Sequence, residues 1–62
     1  MTYQNARKLH NEDEVTDKRT GQILTILNAY ETTHPIINKP QITIEAVTDD
    51  NAYVTCTHRD IK

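Results

Sequence analysis

Apolar and polar positions alternate most regularly over Gln41–Thr48, where Ile42, Ile44 and Ala46 fall on one side and Thr43, Glu45 and Val47 on the other. A two-residue period is that of a half-buried strand, so this segment predicts one. Ala52–His58 repeats the pattern, with Val54 and Cys56 inward and Tyr53, Thr55 and Thr57 outward. Asp49-Asp50-Asn51 supplies the turn between them, because Asx side chains tolerate left-handed backbone. Asp13–Lys18 is a further strand candidate whose one strongly apolar residue is Val15. Lys18-Arg19-Thr20-Gly21 then turns the chain on its only glycine, the residue that reaches positive φ without steric cost.

Gln22–Glu31 supports two readings. Ile23, Ile26, Leu27 and Tyr30 fall at i, i+3, i+4 and i+7, a helical stripe that Thr20 could cap. As a strand, the segment puts Leu24 and Ile26 on one face and Ile23, Thr25 and Leu27 on the other. A bulge would let such a long strand bend around a small barrel. The segment is expected to be a strand. Thr2–Leu9 predicts a short helix with Thr2 as N-cap and Arg7 and Lys8 near its C-terminal end, where the helix dipole favours cations. Thr32–Pro40 is a loop, because His34-Pro35 and Lys39-Pro40 oppose helix, and Ile36 and Ile37 are expected to pin it to the core. The core expected from these elements is Leu9, Val15, Ile23, Ile26, Ile42, Ile44, Val54 and Ile61.

Composition sharpens the fold class. Thr, Ile and Val make up 20 of the 62 residues, and their branched side chains suit a pleated surface. Residues 1–62 read as a single small domain near the lower size limit for folding without a staple. The single cysteine permits no internal disulfide, and a free thiol fits a reducing compartment. With no apolar run suited to a signal peptide or a membrane span, a soluble cytoplasmic protein is the expectation.

The run Leu9, Glu14-Val15-Thr16, Lys18, Thr20-Gly21 and Ile23, followed by a strand pair and Thr57-His58 with Asp60-Ile61, resembles small SH3-like β-barrel proteins. More narrowly it is similar to short uncharacterised proteins of Gram-positive bacteria and their mobile elements. Glu12 stands where the opening of such barrels carries glycine, and Asp17 where an apolar or lysine-like residue is usual. The resemblance implies a mainly β fold, a small SH3-like barrel or β-roll with a short N-terminal helix. It also implies a noncatalytic interaction module.

The candidate chemistry is sparse. Cys56-Thr57-His58-Arg59-Asp60 holds the residue types of a cysteine nucleophile with its base, but alternate residues on a strand stand about 7 Å apart, too far for a thiol–imidazole hydrogen bond. His10, His34, Cys56 and His58 match no metal-ligand spacing, and Glu12-Asp13-Glu14 with Asp17 lacks the alternating oxygens of a calcium loop. No enzyme, metal or cofactor is therefore expected. A protein partner is expected to bind an extended segment in a groove of Tyr30, Ile37 and Tyr53, with Lys39 and Arg59 beside it. The rival reading is nucleic-acid binding through Arg7, Lys8, Lys18, Arg19, Lys39 and Arg59, which the net charge of −2 disfavours. A homodimer formed through open sheet edges is a third expectation.

Overall fold

A computed structural model describes all 62 residues. Helix α1 (Tyr3–Ala6) is followed by strands β1 (Glu14–Thr16), β2 (Ile23–Thr33), β3 (Pro40–Thr48) and β4 (Tyr53–Thr57), then by a 3-10 turn over His58–Asp60. The strands form one antiparallel sheet in chain order. After the 3-10 turn the chain returns to β1. Asp17 and Ile61 form a bridge, Lys18 N–H donates to the Asp60 carbonyl at 2.8 Å, and Lys62 N–H donates to the Thr16 carbonyl at 3.0 Å. The sheet is thereby curled into a half-barrel, the architecture of a small SH3-like barrel with a short N-terminal helix. No helix is long and apolar enough to cross a membrane.

Gln22–Glu31 is strand, and the bulge explains its helix-like spacing. The register runs Leu24↔Thr48, Thr25↔Val47 and Ile26↔Ala46, then resumes at Asn28↔Glu45 with Leu27 as the extra residue. One inserted residue reverses the inward parity, from Leu24 and Ile26 before the bulge to Ala29 after it. Ile23 is therefore an outward residue, 48% exposed, and not the core residue expected, while Leu24 holds the buried place. The core joins Leu24, Ile26, Ile42, Ile44 and Ala46 to Val15, Cys56, Ile61 and Ala6. Leu9 and Val54 pack against it half-buried.

Turn chemistry follows the backbone. Gly21 takes φ +77° and Asn51 φ +66° in their hairpin turns, and Thr48 Oγ1 accepts from Ala52 N–H across the second. Glu12 takes φ +76°, a left-handed conformation uncommon for a residue that carries a side chain. Asp17, unusual for an inward strand position, is buried because its carboxylate accepts from Arg19 N–H at 2.8 Å and from Arg19 Nε at 3.4 Å. The hairpin between β2 and β3 departs from expectation. Strand pairing continues out to Thr33↔Pro40, and Ile36, at 86% exposed, and Ile37, at 50%, do not pin the loop to the core. The tip is held instead by its own bonds: Asn38 N–H to the His34 carbonyl, and Ile36 and Ile37 N–H to His34 Nδ1.

Helix α1 is one turn long, shorter than the Thr2–Leu9 span expected, with Thr2 Oγ1 accepting from Asn5 N–H at 3.2 Å as its cap. Too short to persist alone, it is tied to the barrel at several points. Ala6 is buried, the Tyr3 hydroxyl donates to Glu31, and the N-terminal ammonium donates to the Ile61 carbonyl.

These burials separate residues that the sequence treats alike. Leu24→Ala should lower the free energy of unfolding by about 2–5 kcal/mol, much of the stability of a chain this size. Ile36→Ala should change it by less than about 0.5 kcal/mol. Urea unfolding followed by circular dichroism distinguishes the two, and equal effects would contradict the assignment of the core.

Candidate functional site

Strand register sorts the side chains onto two faces, because cross-strand partners point to the same side. The inner face carries the core. The outer face carries Glu14 and Thr16 on β1, Ile23, Thr25, Asn28, Tyr30 and Thr32 on β2, Thr43, Glu45 and Val47 on β3, and Tyr53, Thr55 and Thr57 on β4. This is a threonine- and tyrosine-rich sheet surface whose charged members are both carboxylates. Its large exposed apolar side chains are Ile23, Leu27, Tyr30 and Tyr53, the last 61% exposed. Glu45 lies at its centre and accepts from the Tyr30 hydroxyl at 3.3 Å. That carboxylate, together with desolvation, raises the Tyr30 phenol above its ordinary value, and Tyr53 adds to the effect.

The expected binding residues divide between two places. Tyr30, opposite Thr43, and Tyr53, opposite Val47, share the outer face and flank Glu45. Arg59 stands at the rim of that face, its Nη1 donating to Gln41 Oε1 at 2.7 Å. Ile37 and Lys39 lie at the hairpin tip. From Pro40 to Val47, the partner of Tyr53, β3 spans about 23 Å, so Ile37 and Tyr53 cannot line one groove. The surface also has no enclosed cavity. The tyrosines form an open platform in place of the expected cleft.

The basic residues are likewise only partly gathered. Pairing of Lys18 with Asp60 and of Lys62 with Thr16 brings the Lys18-Arg19 turn beside Arg59 and Lys62. Arg19 is engaged by Asp17, which raises its pKa. Arg7 lies 5.8 Å from the centre of the Tyr3 ring, and Lys39 is remote at the hairpin tip.

No three His, Cys, Asp or Glu side chains come together as metal ligands. Cys56 is buried and unpaired, and burial, reinforced by Asp60 and Asp17, pushes its thiol pKa up. A thiol held protonated is a poor nucleophile. His58, two residues along, is committed elsewhere. Where β4 ends and the chain turns into the 3-10 segment, Ile42 N–H loses a strand partner, and His58 Nδ1 accepts it at 3.2 Å. The Thr57 capping box stabilises this turn, with Asp60 Oδ2 accepting from Thr57 N–H at 3.1 Å. The His58 ring also meets Tyr3 edge to face, with centroids 6.0 Å apart. The ladder role of His58 was not legible in the sequence, because it depends on where β4 stops.

Comparison of the chain with family models, with curated proteins and with solved structures returns no match.

Burial, reinforced by Arg59 and the N-terminal ammonium, lowers the His58 pKa below its ordinary 6.5. The folded state therefore favours neutral imidazole, whose Nδ1 lone pair the Ile42 bond requires. The unfolded state takes up the proton first as pH falls, so this contribution to stability is complete above about pH 6.5 and declines from there down to the folded-state pKa. Urea midpoints should fall between about pH 7 and pH 5. His58→Asn, which keeps an acceptor for Ile42, should flatten that slope, and His58→Ala should cost about 1–3 kcal/mol at pH 7. An undiminished slope in His58→Asn would assign the titration to another group.

Proposed function

We propose that this chain is a noncatalytic interaction module that binds an extended segment of a protein partner on the outer sheet face around Tyr30, Glu45 and Tyr53. One observation carries the reading: large exposed apolar side chains are grouped on a sheet surface whose strand-borne charges are the carboxylates of Glu14 and Glu45. Aromatic side chains on a fixed scaffold offer large contact area at low entropic cost, and tyrosine is enriched among residues that dominate binding energy. Glu45 between the tyrosines favours a segment carrying Lys or Arg among apolar residues.

The same electrostatics weigh against nucleic acid on this face, since a polyanion would meet Glu14 and Glu45 and no strand-borne cation. The Lys18-Arg19 turn beside Arg59 and Lys62 supports a second, basic-edge reading, and the two separate by salt dependence and by residue.

Selection of displayed peptides on the immobilised chain should enrich sequences that combine a cation with apolar residues. Titration with a selected peptide should shift the amide resonances of Tyr30, Glu45 and Tyr53. Tyr30→Ala and Tyr53→Ala should each weaken that peptide by about tenfold or more. Binding of short RNA or DNA that weakens steeply with salt and is abolished by Lys18→Ala with Arg19→Ala, while the tyrosine variants bind normally, would replace this reading with the nucleic-acid one.

A further inference from the structure

The sheet has two stretches of unpaired edge, and they are protected very differently. Beyond its short pairing with β1, β2 runs free from Asn28 to Thr33. Several features blunt that edge. The bulge bends it, Asn28 Oδ1 accepts from Ala29 N–H at 3.0 Å, and Glu31 places a charge on it. These are devices by which sheets discourage edge-to-edge pairing.

Strand β4 has none of them. Its sequence, Tyr53-Val54-Thr55-Cys56-Thr57, holds no charge, no proline and no glycine, and its pairing with β3 runs from Thr43↔Thr57 to Val47↔Tyr53 without a bulge. The direction of its backbone groups follows from two hydrogen bonds. Thr48 N–H donates to the Ala52 carbonyl, which puts Ala52 and, by alternation, Val54 and Cys56 in register with β3. Thr57 N–H is turned from the ladder onto Asp60 Oδ2. The N–H and C=O of Tyr53 and Thr55 and the C=O of Thr57 therefore point out of the sheet.

The charges flanking β4 select what pairs there. Asp49 and Asp50 precede the strand, and Arg59 follows it, with Asp60 turned back onto Thr57 N–H. We propose that β4 is a dimerisation edge, pairing antiparallel with β4 of a second copy about a two-fold axis at Thr55. In that register Thr55 faces Thr55 of the second copy, with each N–H donating to the other's C=O. Tyr53 faces Thr57 of the second copy, and its N–H donates to that Thr57 C=O. The occupied N–H of Thr57 is the one strand donor left out. Beyond the strand ends, the Asp49-Asp50 turn of each copy lies toward the 3-10 turn of the other, where Arg59 stands beside an Asp60 carboxylate already engaged by Thr57 N–H, twice by symmetry. Parallel pairing would set acid against acid and arginine against arginine. Val54 and Cys56 of opposite copies adjoin on the inner face, and the half-exposed Val54 gains cover. The outer faces join into one continuous eight-stranded surface with the tyrosine platforms side by side.

A five-residue strand pair is a small interface, so the dimer is weak and governed by concentration. Sedimentation from roughly 10 μM to 1 mM should show mass rising from monomer toward dimer, with concentration-dependent shifts concentrated at the Tyr53 and Thr55 amides. Thr55→Pro removes a donor that faces away from β3, so it should abolish association while leaving the β3–β4 ladder intact. Thr55→Lys should do the same by placing like charges opposite one another at the two-fold. Arg59→Glu should weaken association and Asp49→Lys with Arg59→Glu should restore it, a reversal that general destabilisation would not produce. Amide spectra report whether each variant is folded. A wild-type chain that stays monomeric to 1 mM would overturn the proposal, as would a dimer that survives Thr55→Pro in the folded state.

Discussion

A four-stranded sheet with one apolar face must be closed over its core, and here the closure depends on the return of Ile61 to β1. Its side chain is fully buried, and its neighbours Asp60 and Lys62 bond to Lys18 and Thr16. The N-terminal ammonium bonds to its carbonyl, so both chain ends converge on one residue. A chain of 62 residues, with one cysteine and no disulfide, has little else to hold its strands in a curve. The buried Asp17 belongs to the same closure: Arg19 holds its carboxylate below the ordinary range, so it stays charged and bonded inside the seam.

Closure on one side leaves the rest of the sheet one-sided. Every strand spends half its residues on the core and presents the other half to solvent, which gives the outer face its threonines and tyrosines. The bulge at Leu27 allows β2 to run the length of the sheet and still bury Leu24, Ile26 and Ala29 on the same side. Its bend also helps blunt one edge of the sheet, while β4 at the other edge stays straight and uncharged. The tyrosine platform and the open edge are consequences of how so small a barrel is completed.

Much of this was legible in the residues. Two-residue alternation located β3 and β4, the lone glycine located the first hairpin, and Thr2 located the start of α1, because these signals are local and need no distant partner. The choice between helix and strand for Gln22–Glu31 was less plain, since a bulge inserted into a strand imitates a helical stripe. Ile23 and Leu24 could not be ranked for the same reason: a one-residue change of parity exchanges core for solvent. The candidate site was half legible. Tyr30 and Tyr53 do share a face, but long-range pairing out to Thr33↔Pro40 carries Ile37 away from them to the hairpin tip.

The sequence by itself determined the strand periods, the turns and the mainly β class, since each depends on the intrinsic conformational preferences of neighbouring residues. Only the tertiary structure decided which face of β2 is buried, that His58 completes the ladder at Ile42, and that Ile61 closes the barrel on Asp17. Those outcomes are settled by pairings between residues far apart in the chain, whose register no local preference encodes.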